Sequence, residues 1–118
     1  MQRKEEIEQT HLFLWAFYES SKYPELKNMF AIPNGGKRSK SEAARLKASG
    51  VKAGVPDIFL AVARNGYHGL FIEMKVGMNK PTENQVEMME ELTAQGYLCR
   101  VCWSGDDAID AIKEYLGI

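Results

Sequence analysis

Val55-Pro56-Asp57-Ile58-Phe59-Leu60-Ala61-Val62, the turn Ala63-Arg64-Asn65-Gly66-Tyr67-His68, and the return Gly69-Leu70-Phe71-Ile72-Glu73-Met74-Lys75 decide the fold of this chain. The first run is almost wholly apolar, as a strand covered on both faces requires, and predicts a strand over 57–62. Asn65-Gly66 supplies two residues that tolerate positive φ, so a tight turn returns the chain into a second strand over 69–75. Side chains alternate along a strand. Leu70 and Ile72 therefore share one face, while Phe71, Glu73 and Lys75 share the other. A glutamate and a lysine projecting together from the end of a buried strand are costly to desolvate unless they pair or bind something.

Working outward, residues 5–21 read as a helix rich in Leu12, Phe13, Leu14, Trp15, Phe17 and Tyr18, too apolar for a surface helix, and Pro24 blocks its continuation. A short strand over 28–33 ends at the turn former Asn34-Gly35-Gly36. Ser39 or Ser41 caps a second helix that runs to Ala48 and stops at Gly50. Thr82 caps a third helix through Gln95, with Gln85 placed to close a capping box and Val86, Met89 and Leu92 or Thr93 as its buried stripe. Gly96 ends it, a strand follows over 97–103, and Ser104-Gly105-Asp106-Asp107 opens a last helix to Leu116. The order α–β–α–β–β–α–β–α predicts an α/β fold, a mixed sheet of about four strands flanked by helices, in one domain over 1–118.

Composition excludes some classes. Hydrophobic residues at 45% and charged residues at 26% suit a soluble globular domain, and no apolar run approaches the roughly 20 residues of a membrane span. The N-terminal stretch lacks the apolar segment of a signal peptide, so a cytoplasmic location is expected, in a bacterium or a phage-infected host. Cys99 and Cys102 have redox-like spacing but fall in a strand, and only His11 and His68 are available as imidazole ligands, so both thiols read as structural and reduced. Net charge is −1, yet the segment 37–52 carries Lys37, Arg38, Lys40, Arg45, Lys47 and Lys52 against Glu42 alone. That local +5 leaves −6 for the rest, so the overall balance does not argue against a phosphate-bearing partner. A solvated basic helix is the plainer reading of the same residues.

Phosphodiester hydrolysis needs neutralised phosphate charge and a water deprotonated near neutral pH, and carboxylate-held divalent metals supply both. Magnesium keeps several waters, so two or three protein oxygens suffice. Asp57 and Glu73 at neighbouring strand ends are the natural pair, the backbone carbonyl of Met74 completes the set, and Lys75 orients the attacking water or stabilises the phosphorane. Pro-Asp and Glu-x-Lys are each common fragments; their combination across one apolar hairpin is not.

With Pro56-Asp57 and Glu73-Met74-Lys75 the chain resembles the PD-(D/E)xK nuclease superfamily, and more closely the virus-type replication-repair nuclease (VRR-NUC) family. The resemblance runs through Glu8-Gln9, Pro33-Asn34-Gly35-Gly36 with Arg38, Gly50 to Asp57, Gly69 to Lys75, Gln85 and Gly96-Tyr97. It implies a nuclease restriction-endonuclease-like in its core, dependent on Mg²⁺ or Mn²⁺, with Asp57, Glu73 and Lys75 in the roles above. It also implies a first-helix glutamate near the metal. Glu8 shares a helix face with Leu12 and Trp15 and is preferred; Glu5, one turn earlier, is the alternative. Gln85 is either the capping residue alone or also a contact to the lysine or phosphate. Asn34, Gly35, Gly36, Lys37, Arg38, Lys40, Arg45, Lys47 and Lys52 form the expected DNA track, with glycines that let backbone approach a phosphate.

A 118-residue nuclease without added binding modules gains footprint by pairing with itself. A homodimer that resolves four-way (Holliday) junctions in DNA repair is therefore the favoured expectation. A monomeric flap or single-strand nuclease is the near alternative, and a non-catalytic DNA-binding subunit with a nuclease fold is the rival from another class.

Overall fold

The computed structural model describes residues 3–33 and 38–118. Four helices, α1 (Arg3–Glu19), α2 (Lys40–Ala48), α3 (Glu83–Ala94) and α4 (Gly105–Leu116), surround four strands, β1 (Met29–Ala31), β2 (Ile58–Leu60), β3 (Leu70–Met74) and β4 (Leu98–Cys102). The sheet runs β1-β2-β3-β4, antiparallel through β3 and parallel between β3 and β4, where α3 makes the crossover. The predicted element order and mixed four-stranded sheet are therefore present. The strands are shorter than the apolar runs suggested, and a 3-10 turn over Pro24–Asn28, unforeseen in the sequence, links α1 to β1.

The β2–β3 turn forms for the reason its residues give: Asn65 and Gly66 adopt φ of 54° and 83°, and Arg64 pairs with Tyr67. Asn65 then donates to the Tyr115 carbonyl (3.1 Å), and the Tyr115 hydroxyl donates to Val62 O (2.6 Å), tying the hairpin to α4. One sheet face carries Ile58, Leu60, Leu70, Ile72 and Met74 into a core completed by Leu12 and Ala16 of α1 and by Ala108, Ile112 and Tyr115 of α4. The other carries Phe30, Phe59 and Phe71 in adjacent register, with Phe59 and Phe71 stacked at 4.3 Å.

Both helix-face expectations need correction. In α1 the buried face is Glu5, Leu12 and Ala16, whereas Ile7, Leu14, Phe17 and Tyr18 face outward and Trp15 only borders the core. In α3 no residue is buried; Val86 is exposed and Met89 and Leu92 are half-covered, because the helix packs chiefly on the edge strand β4. The caps behave as their side chains dictate. Ser39, rather than Ser41, accepts from the Glu42 N–H, and Thr82 and Gln85 close a reciprocal capping box. Cys99 and Cys102, three apart on β4, point to opposite faces and are free thiols; burial first, then Asp107, pushes Cys102 up to about 12, which keeps it inert. No described helix is long and apolar enough to cross a membrane.

Candidate active site

Extending the β2–β3 register by one rung sets Asp57 opposite Glu73. The Asp57 carbonyl accepts from Ile32 N–H (2.7 Å) on the β1 side, and its carboxylate Oδ2 accepts from Met74 N–H (2.8 Å) on the β3 side. Pro56, fully buried, fixes the chain entering this position. Lys75 N–H donates to Cys102 O (2.9 Å), so successive peptide groups of β3 alternate between its two neighbours and the Met74 carbonyl opens on the Asp57 side. Lys75 Nζ lies 3.8 Å from Glu73 Oε2.

Among the described residues four charged side chains are buried, and all four belong to this cluster: Glu5, Asp57, Glu73 and Lys75. Three acids face one base. Burial first, then the neighbouring Asp57 carboxylate, push the Glu73 carboxyl up to about 8, and the pull of Lys75 in the other direction is weaker. Glu5 is raised too, by burial above all and by Asp57, against the opposing Lys75. The cluster therefore lacks positive charge. Glu73 Oε1 is buried with no hydrogen-bond partner, and so is Gln9 Oε1, one turn after Glu5 on α1.

That orphaned carboxylate oxygen is the test of whether a metal fits. Among the described residues no three His, Cys, Asp or Glu side chains converge tightly enough to cage an ion unaided. Magnesium does not need such a cage: it binds through one or two carboxylates and retains waters. Asp57, Glu73 and the Met74 carbonyl meet that requirement, and Glu5 acts on the group through its charge.

The structure divides the residues singled out in the sequence. Asp57, Glu73, Met74 and Lys75 come together. Glu8 does not: its Oε1 accepts from Gly105 N–H (2.7 Å), capping the start of α4 beside His11, which lies 3.0 Å from Asp106. The first-helix acid in the cluster is Glu5, since the buried face of α1 follows positions 5, 12 and 16 rather than 8, 12 and 15. The small Ala16, which lets the helix approach closely, was the signal for that face. Gln85 uses its side-chain oxygen on Thr82 N–H (2.9 Å), the capping role.

Asn34, Gly35, Gly36 and Lys37 lie outside the described residues. Arg38, Lys40, Arg45, Lys47 and Lys52 are exposed, and α2 buries none of its residues. Between α2 and α3 a cavity of about 720 Å³ has Leu46, Val51 and Met88 on its walls and Arg38, Lys47 and Lys52 among its lining cations. The segment leaving it, Ala53 to Pro56, leads directly to Asp57.

Sequence reasoning missed why Gly54 is needed. It has φ of +85°, and a Cβ there would stand 2.5 Å from the Asn84 carbonyl at the start of α3. Gly54→Ala is expected to cost about 1–3 kcal/mol, from overpacking on top of the backbone conformation. A urea melt checks this: an unchanged midpoint means that the close approach to α3 carries no weight.

Comparison with known proteins bears on the family and the fold. Residues 3–106 match the VRR-NUC domain. A solved structure described as a VRR_NUC domain protein superposes with a TM-score of 0.82 at 33% identity, covering 99% of this chain and 91% of the other. No curated protein sequence matches the chain.

Proposed function

The chain belongs to the VRR-NUC domain family, a nuclease-type family, and from that premise we propose that it is a divalent-metal-dependent DNA endonuclease acting through Asp57, Glu73, Lys75 and Glu5. The observation that carries the reading is the confinement of buried charge to one cluster with an orphaned Glu73 oxygen. Buried carboxylates with a net deficit of positive charge are destabilising in an empty protein and are relieved by a bound cation.

Asp57, Glu73 and the Met74 carbonyl would hold Mg²⁺ or Mn²⁺. When bound, the ion neutralises phosphate charge and makes its water more acidic. The chain's own groups do the rest. The Met74 N–H fixes the Asp57 carboxylate, so the pair is organised before substrate arrives. Lys75, buried beside Glu73, makes its ion pair among the described residues with Glu73, and its ammonium would hold the attacking water or the phosphorane oxygen. Glu5 adds negative charge to the cluster, attracting the Lys75 ammonium and favouring a cation there. The exposed cations of 38–52 supply a track for the DNA backbone leading to Asp57.

The outward apolar face of α1, with Ile7, Leu14, Phe17 and Tyr18, supports self-association, and a two-fold pair of sites suits four-way junctions. Junction, flap, nicked and linear substrates with Mg²⁺, at equal protein and alongside a measurement of mass in solution, test these parts together. A dimer cutting the junction fastest is expected. Equal rates on junction and linear duplex would sink junction selectivity, and a monomeric mass would sink the pairing.

A further inference from the structure

A second cavity lies between the start of α1 and the ends of β3 and β4. It measures about 300 Å³ and is lined by Lys4 and Ile7 of α1, Val76 and Gly77 after β3, and Trp103 after β4. None of the four clustered charged residues lines it, but Lys4 and Ile7 bracket Glu5 on α1 and Val76 follows Lys75, so the cavity and the cluster draw on the same two chain segments. Extending the parallel β3–β4 register by one rung sets Trp103 opposite Lys75, and the Lys75–Cys102 backbone hydrogen bond holds the two strand ends together.

Trp103 is exposed at 44%, an unusual state for a tryptophan held at both ends. Its indole Nε1–H donates to Asn79 O (3.0 Å), and its backbone N–H donates to Asp107 Oδ2 (3.0 Å). The ring is thus oriented without being covered, and stacking on it demands little further ordering. The walls are mainly carbon, from Ile7, Val76 and the indole. The one acid on them, Glu8, already has its Oε1 committed to Gly105 N–H. Such a lining suits a flat heteroaromatic ring with an attached phosphate near Lys4 better than a bare anion. The volume is at the lower end of the range of about 300–1,000 Å³ for small-molecule sites, room for one base rather than a pair. A base inside a duplex has both faces stacked, so only an unpaired base can enter.

We propose that the cavity beside Trp103 receives an unpaired nucleobase of the nucleotide flanking the scissile phosphate. The proposal rests on the nuclease reading above and adds a reason for choosing branched or frayed DNA over continuous duplex: Trp103 determines specificity by engaging a base that only such substrates offer.

The test uses splayed and branched DNA carrying 2-aminopurine, or an abasic site, at each unpaired position next to the cut. Binding is read with Ca²⁺ and cleavage with Mg²⁺. Quenching at one position is expected, lost in Trp103→Ala and largely kept in Trp103→Phe. Trp103→Ala should raise Kd and KM about five- to hundredfold with kcat retained, and the abasic site at that position should make wild type and variant equal. Unchanged affinity, quenching and abasic response in a folded Trp103→Ala protein would overturn the proposal while leaving the nuclease reading intact. Trp103-dependent quenching in a protein that cleaves nothing would do the reverse. If Trp103→Ala does not fold, the abasic substitution decides with wild type alone: affinity unaltered at every position overturns the base site.

Discussion

Glu73→Gln is expected to abolish cleavage, by about three orders of magnitude or more, and at the same time to make the metal-free protein more stable at pH 8. The two effects share one cause. Glu73 is 1% exposed, beside Asp57, and its carboxyl is pushed up to about 8 from the ordinary 4.5. In the folded protein it therefore holds its proton through a range in which the unfolded chain has lost it. For an acid raised in this way, stability is fully present below about pH 4.5 and is lost as pH rises through about 8. The loss is on the order of a few kcal/mol. Glutamine keeps the size, removes the charge and can donate to Asp57, so the slope should shrink to what Glu5 and the other titrating groups contribute. Thermal melts in EDTA at pH 5.5 and 8 check this, with wild type falling steeply and the variant falling much less. Mn²⁺ should restore wild type at pH 8 and leave Glu73→Gln unmoved. Parallel pH slopes for the two proteins would mean that Glu73 carries no such burden.

The second large contrast separates two glutamates that the sequence could not. Glu5→Gln is expected to lower cleavage about 10- to 100-fold, with no loss of stability, because a buried, under-compensated carboxylate is removed. Glu8→Ala is expected to cost about 1–2 kcal/mol, the usual cost of losing a helix-start acceptor, since Gly105 N–H is left without its carboxylate. Cleavage per folded molecule should stay near wild type. Paired chemical melts and single-turnover rates resolve this. An inactive, fully stable Glu8→Ala would return Glu8 to the site and refute the assignment of Glu5.

What was legible in the sequence followed local rules. Asn65-Gly66 forced the hairpin, alternation put Glu73 and Lys75 on one face, and Thr82 with Gln85 announced the start of α3. The pairing of Asp57 with Glu73 followed once β2 and β3 were antiparallel neighbours. Helix rotation was not legible in the same way. The apolar residues of α1 lie on all sides, so periodicity offered two faces, and packing of Ala16 and Leu12 against the sheet selected the one bearing Glu5. Gly54 was visible as a flexible position, but its contact with Asn84 is set by tertiary structure. Trp103 read as a strand residue; its open ring depends on the loop that carries Asn79.

The central claim is that this cluster hydrolyses phosphodiester bonds with a bound divalent metal. The most direct measurement is the single-turnover cleavage rate of end-labelled branched DNA by the purified protein, with Mg²⁺ or Mn²⁺ and with EDTA, for wild type and Lys75→Ala. Metal-dependent cutting by wild type, absent with EDTA and reduced at least a hundredfold in a Lys75→Ala protein that still binds the DNA, is the predicted result. DNA binding without cutting in either protein, or cutting by Lys75→Ala at the wild-type rate, would contradict it.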